Sequence, residues 1–192
     1  MVNNFNITVC ASGNGGNLQS LIDNQGKIGI RINMVIVDRK CGAIDRAVNS
    51  NIPYKMILNN QYVDNFLKEI DANIPPNTDL VVLAGFFPVL DVTFCKKWKN
   101  KIINTHPSLL PKYGGKGMYG VRVQEAVMRA KEKYAGCTVH YVTPEIDGGA
   151  IILQKVIEVD YTQTPRELGG RIHMEENKLL VNAISLIKNS KI

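Results

Sequence analysis

Along the first hundred positions, short apolar runs alternate with stretches that carry apolar residues at helical spacing. Residues 5–11 (FNITVCA) form a β-rich run that ends at SGNGG, residues 12–16, where turn chemistry takes over. Asn17 is placed to cap a helix carrying Leu18, Leu21 and Ile22, and Gly26 to stop it. The same alternation predicts strands over 30–37, 54–58 and 79–84. It predicts helices over 42–49 and 61–72, the second with Val63, Phe66, Leu67 and Ile70 at helical spacing. The run DLVVLA at 79–84 is apolar almost throughout, as a strand covered on both faces must be. This strand-helix repetition predicts an α/β fold, a mostly parallel twisted sheet with helices on both faces.

Beyond residue 101 the rhythm loosens. A short strand over 102–104 runs into THPSLLPKYGGKG, a segment broken by prolines and glycines. Val123, Val127 and Ala130 mark one side of a helix over 121–132, and 137–142 alternates as a strand. PEIDGG at 144–149 reads as a turn before a strand over 151–159. A helix over 165–187 closes the chain, with Leu168, Ile172, Leu179, Leu180, Ala183 and Ile187 inward. No internal repeat or low-complexity linker interrupts, so one domain over 1–192 is expected.

Composition narrows the classes. The 192 residues carry 23 Lys+Arg against 17 Asp+Glu, net charge +6, with 45% hydrophobic and 21% charged positions, the values of a globular chain. The basic residues are dispersed and only 7% of the chain is aromatic, so the excess suits a small anionic ligand and no nucleic acid. No apolar stretch approaches the roughly 18–20 residues that span a bilayer. Asn3, Asn4 and Asn6 interrupt the segment where a signal peptide needs an apolar core, so a cytoplasmic protein with no membrane partner is expected. Cys10, Cys41, Cys95 and Cys137 show no Cys-x-x-Cys or Cys/His spacing, which points to reduced thiols and no metal site.

Three segments carry candidate chemistry. Ser12, Gly13, Asn14, Gly15, Gly16 and Asn17 lie between a strand and a helix, where glycines admit a ligand to the backbone and a helix N-terminus favours phosphate. Gly13 and Gly15 match two glycines of a dinucleotide fingerprint, but Leu18 stands at the third, so Asp38 beside Arg39 reads as a solvated strand-end pair and not as a ribose-binding acid. Asn104 and His106, two apart at a strand end, point to one side, where a carboxamide donor and an imidazole converge on one reacting atom. Asp147, followed by two glycines, either stabilises its own turn or orients His106.

SGNGGN, NTHPSLLPKY and TVHYVTPEIDGGAIILQ together closely resemble the glycinamide ribonucleotide formyltransferases of the 10-formyltetrahydrofolate-dependent superfamily. The resemblance runs from about residue 7 to 187. It implies a Rossmann-like formyltransferase fold and formyl transfer from the cosubstrate 10-formyltetrahydrofolate to the amine of glycinamide ribonucleotide, in purine biosynthesis. It implies that Asn104, His106 and Asp147 are catalytic, that Gly15, Gly16 and Asn17 hold the 5-phosphate, and that Glu176 holds the ribose hydroxyls. Gly16 replaces the family's commoner Ser or Thr, removing a hydroxyl and keeping the N–H. The folate is expected along Phe87, Pro88, Val89 and Leu90 and along Tyr141, Val142, Thr143, Pro144, Glu145 and Ile146. Phe87-Pro88 stands where some members carry Met-Arg, a loss for which Lys112 or Arg122 is the candidate compensation. Residues 112–119 receive no specific contact beyond closure over substrate. The implied partners are the two small substrates, with a homodimer left open.

Relatives that formylate tRNA or sugars, or hydrolyse the folate, share the trio but carry appended sequence for which this length leaves no room. A non-catalytic nucleotide- or folate-binding module has no use for the trio.

Overall fold

The protein, described here by a computed structural model over residues 5–59 and 65–190, divides into two compact units, Met1–Asn104 and Thr105–Ile192. The first unit begins with β1 (Phe5–Ala11), α1 (Gly16–Ile28), β2 (Ile30–Val37), α2 (Gly42–Asn49) and β3 (Tyr54–Met56). It continues through α3 (Phe66–Asn73), β4 (Leu80–Leu83), α4 (Val92–Lys97) and most of β5 (Ile102–His106). Among the described residues the strand pairs in this unit are all parallel. Ile7, Val9, Val35, Ile36, Leu80, Val81 and Val82 are fully buried, which is why these runs are apolar on both sides.

Strand order is β3-β2-β1-β4-β5-β6-β7, a seven-stranded, mostly parallel sheet. Between β1 and β4 the direction of winding reverses, and right-handed crossovers then place α1 and α2 on one face and α3 and α4 on the other. Such a reversal opens a crevice at the carboxyl ends of the strands. Cys10, Leu83 and Asn104 stand in one register row across β1, β4 and β5, so the loops after β1 and β4 leave the sheet at the level of Asn104.

The second unit holds α5 (Val121–Arg129), β6 (Tyr134–Tyr141), β7 (Ile151–Glu158) and α6 (Pro165–Asn189). β6 and β7 are antiparallel. α6 opens with a capping box between Thr164 and Glu167, has Pro165 in its first turn, and buries Leu168, Ile172, Leu180, Ala183, Ile184 and Ile187.

Several boundaries differ from the pattern. α1 is capped by Gly15 in the left-handed region and stopped by Gly29, so Asn17 lies inside the first turn and Gly26 inside the helix. Residues 61–64 of the expected 61–72 helix lie outside the described residues, and α3 runs to Asn73. α4 was not expected; its six residues are too short to show a period, and its signal is the Asp91 carboxylate accepting from Phe94 N at 2.7 Å. β6 starts at Tyr134 because Gly136 continues the ladder, and a Cβ there would lie 1.9 Å from the Lys155 carbonyl oxygen. Among the described residues no helix is long and apolar enough to cross a membrane.

Candidate active site

In the first unit, the backbone after β1 turns through Gly15, whose φ of 72° and close neighbours both demand glycine. A Cβ there would stand 3.0 Å from Ala43 Cα. Two bonds tie this loop to the one after β4: Ser12 N donates to the Gly85 carbonyl at 3.0 Å, and Phe87 N donates to Ser12 Oγ at 3.0 Å. From the other side α2 holds it, Ala43 N donating to Gly13 O and Arg46 Nε to Asn14 O. The helix that follows starts at Gly16 with no side-chain cap bond at Gly15, leaving first-turn N–H groups that helix geometry does not satisfy. Asn17 is buried within that turn.

Asp38 departs from expectation. It is buried, not solvated, and its Oδ2 accepts from Arg39 Nε at 3.1 Å and Nη2 at 2.7 Å. The Arg39 guanidinium in turn lies 5.2 Å from the Phe87 ring centroid. In the expected folate segment Phe87 and Val89 are exposed, Pro88 is half-buried, and Leu90 is buried in the core.

Asn104 and His106 share one side of β5, and His106 is buried. His106 Nε2 lies 2.8 Å from the Tyr113 carbonyl oxygen, which only accepts, so Nε2 carries the hydrogen and Nδ1 is the nitrogen turned toward Asp147. Nδ1 stands 3.6 Å from Asp147 Oδ2. The other carboxylate oxygen faces a second histidine, His140 Nε2, at 3.7 Å. His140 Nδ1 bonds the Tyr141 carbonyl at 2.8 Å. Burial holds His140 below its ordinary value, against the opposing pull of that carbonyl and of Asp147.

Asp147 reaches this position through a φ of 56°, a conformation Asp tolerates better than most residues. The second of the two glycines after it is explained by crowding: a Cβ on Gly149 would lie 1.7 Å from the Tyr141 carbonyl oxygen. Gly115 N donates to Asp147 Oδ2 at 2.8 Å. Residues 113–115 therefore hold both the histidine and the carboxylate, contacts the sequence did not disclose because they come from backbone atoms. Lys112 donates to Glu132, and the Arg122 guanidinium stacks 4.9 Å from the Tyr119 ring centroid. Tyr141, Val142 and Thr143 are half-buried, while Pro144, Glu145 and Ile146 are exposed.

Glu176, on α6, is buried with both oxygens engaged: Thr105 Oγ1 donates to Oε1 at 2.8 Å, and His173 Nδ1 lies 3.0 Å from Oε2. This carboxylate raises the His173 pKa above its ordinary value. Pro107, Gln124, Arg166, His173 and Glu176 line a cavity of about 300 Å³. Sequence reasoning missed His140, Thr105 and His173; the available signals were strand alternation around 138–140 and the i, i+3 spacing of His173 and Glu176. Among the described residues no group of three or more His, Cys, Asp or Glu is placed to hold a metal ion.

The fold defines an α/β scaffold of the formyl-transferase class, and comparison with known proteins gives the family. Residues 5–184 match the family described as Formyl transferase, and the chain belongs to that family. It is 35% identical over 94% of its length to the trifunctional purine biosynthetic protein adenosine-3 of Chironomus tentans, of which it spans 13%. It is 31% identical over 97% of its length to the chloroplastic phosphoribosylglycinamide formyltransferase of Arabidopsis thaliana, of which it spans 66%. The chain thus spans less than two thirds of these curated relatives. The solved phosphoribosylglycinamide formyltransferase of Anaplasma phagocytophilum superposes with a TM-score of 0.89 at 33% identity, covering 99% of this chain and 90% of that one.

Proposed function

We propose that the chain transfers the formyl group of 10-formyltetrahydrofolate to the amine of glycinamide ribonucleotide, as one formyltransferase domain working in the cytoplasm on these two small substrates. The observation that carries the reading is the pairing of His106 Nδ1 with Asp147 Oδ2 at 3.6 Å, on the strand side that also bears Asn104. In this reading the substrate amine attacks the formyl carbon and the carbonyl oxygen becomes an oxyanion. The Asn104 amide and protonated His106 Nδ1 stabilise it. The proton leaving the amine passes by way of Asp147 to the folate N10, the C–N10 bond breaks, and the formyl amide and tetrahydrofolate are released.

The other roles follow from chemistry. Gly15, Gly16 and Asn17 hold the phosphate through backbone N–H groups, which supplies orientation and not chemistry. Glu176 accepts from the ribose hydroxyls. The folate lies along 87–90 and 141–146.

The test is to incubate the purified chain with 10-formyltetrahydrofolate and glycinamide ribonucleotide while following folate-product absorbance, with water alone and formyl-acceptor tRNA as controls. Product formation that depends on the ribonucleotide is expected. Equal rates without any acceptor, or dependence on the tRNA, overturn the reading.

A further inference from the structure

The segment that holds the catalytic pair is itself held from a distance. Tyr113 carries a φ of 57°, a left-handed conformation that a bulky side chain rarely adopts unless its surroundings enforce it. From that conformation its carbonyl meets His106 Nε2, and two residues on Gly115 N meets Asp147 Oδ2. Gly114 lets the segment approach: a Cβ there would stand 2.5 Å from Leu110 Cδ2 and 3.2 Å from Asp147 Cβ. The segment is met by Glu132, beyond the end of α5. Its Oε1 accepts from Lys112 Nζ at 2.8 Å and from Tyr113 Oη at 3.0 Å, so one oxygen fixes two successive side chains of the segment. Glu132 is anchored in turn, its carbonyl accepting from Tyr161 Oη at 2.9 Å.

We propose that Glu132 is a positioning residue for the reaction: by clamping Lys112 and Tyr113 it keeps the Tyr113 carbonyl on His106 Nε2, which fixes the tautomer that turns Nδ1 toward Asp147 and the reacting oxygen. The inference rests on the formyl-transfer reading for its kinetic consequence and on geometry alone for the tautomer. Releasing the clamp lets Tyr113 relax to an ordinary backbone conformation, turns its carbonyl away, and leaves the imidazole free to exchange its proton between nitrogens. The charge on Glu132 suits a clamp, since hydrogen bonds from Lys112 and then Tyr113 hold its carboxyl below the usual range and it stays ionised near neutrality.

The experiment uses Glu132→Ala, Glu132→Gln and Tyr113→Phe in the full chain. The ¹⁵N shifts of the His106 ring are read without ligand and assigned by their loss in His106→Gln. The parent protein is expected to show one tautomer protonated at Nε2, and Glu132→Ala averaged shifts for the two nitrogens. In turnover, Glu132→Ala and Tyr113→Phe should lower kcat about ten- to a hundredfold, as small misplacements of reacting groups do. KM for either substrate should stay within about twofold, and Glu132→Gln, which keeps an accepting oxygen, should recover a large part of kcat. Unchanged His106 shifts in both Glu132→Ala and Tyr113→Phe overturn the proposal, as does a loss in which kcat, both KM values and melting temperature move together. Tyr113→Phe removes one hydroxyl and keeps the ring, so it decides the matter if Glu132→Ala does not fold. A parent protein that shows the single tautomer and no formyl transfer sinks the functional reading and leaves the clamp standing.

Discussion

Thr105 donates a 2.8 Å hydrogen bond from Oγ1 to Glu176 Oε1, between two buried side chains. Thr105 sits between Asn104 and His106 on β5, and alternation turns its side chain to the opposite side. One strand end therefore presents two of the proposed catalytic residues on one side and orients the α6 carboxylate from the other. Thr105→Val keeps the shape and removes the donor, leaving a buried carboxylate oxygen with one bond fewer. It should cost about 1–3 kcal/mol of stability, read by urea unfolding. The KM for glycinamide ribonucleotide should rise several-fold while the KM for the folate holds. A variant as stable as the parent with unchanged kinetics rules out Thr105 as the anchor of Glu176.

The trio itself yields the largest expected effects. Asn104→Ala and His106→Ala remove the two proposed oxyanion donors, and Asp147→Asn replaces the carboxylate that faces His106 Nδ1 at 3.6 Å. Asn is the right replacement for Asp147, since it too tolerates the φ of 56° found there. Each change should lower kcat by about 10²–10⁴, with a circular-dichroism melt close to that of the parent. Near-normal turnover in all three sinks the catalytic assignment.

How far the sequence disclosed this arrangement depended on what each contact is made of. β1, β2 and α2 fall where their patterns end, because glycine and polar turn residues bound them; β1 is buried almost throughout, whereas α2 buries only Ala43 and Ala47. Asn104, His106 and Asp147 were legible as candidate side chains, and the structure brings His106 and Asp147 together. The clamp on His106 was not, because the Tyr113 carbonyl and Gly115 N–H belong to the backbone, which every residue has. His140 looked like one more inward position of a strand, and its approach to Asp147, from the 144–149 turn, shows only in the structure. Asp38 misled for a related reason: a charged pair at a strand end reads as solvated, yet Arg39 screens a carboxylate that the sheet has buried.

Two histidines should titrate to opposite sides of the ordinary value of 6.5. Glu176 raises His173, while burial lowers His140, which is faced by Asp147, by the Tyr141 carbonyl and by His106. The signs for stability are opposite as well. The favourable contribution of His173 is fully present below 6.5 and is lost as pH rises through its raised folded value. His140 stays neutral in the fold while the unfolded chain takes up a proton, so stability falls as pH drops from 6.5 toward its lowered folded value. Proton NMR of the imidazole Cε1–H signals measures both midpoints. Glu176→Gln should bring His173 down and leave His140 in place, whereas Asp147→Asn should lower His140 further. A His173 midpoint at or below 6.5 in the parent protein contradicts the pairing.

The glycine loop separates a structural demand from a binding one. Gly15 is left-handed at a φ of 72°, with Ala43 Cα and Arg46 Cδ each 3.0 Å from where a Cβ would be, so Gly15→Ala should destabilise the fold by about 1–3 kcal/mol. Gly16 opens α1, where an acidic side chain is favoured by the helix dipole, and Gly16→Asp should therefore melt near the parent temperature. The same carboxylate stands where the substrate phosphate is proposed to bind, so repulsion should raise the KM for glycinamide ribonucleotide by about tenfold or more. The KM for 10-formyltetrahydrofolate should stay put, because the phosphate belongs to the other substrate. Steady-state kinetics with each substrate varied in turn separates the outcomes: a folate KM that rises alone assigns the loop to the wrong ligand, and the phosphate role of Gly15, Gly16 and Asn17 falls with it.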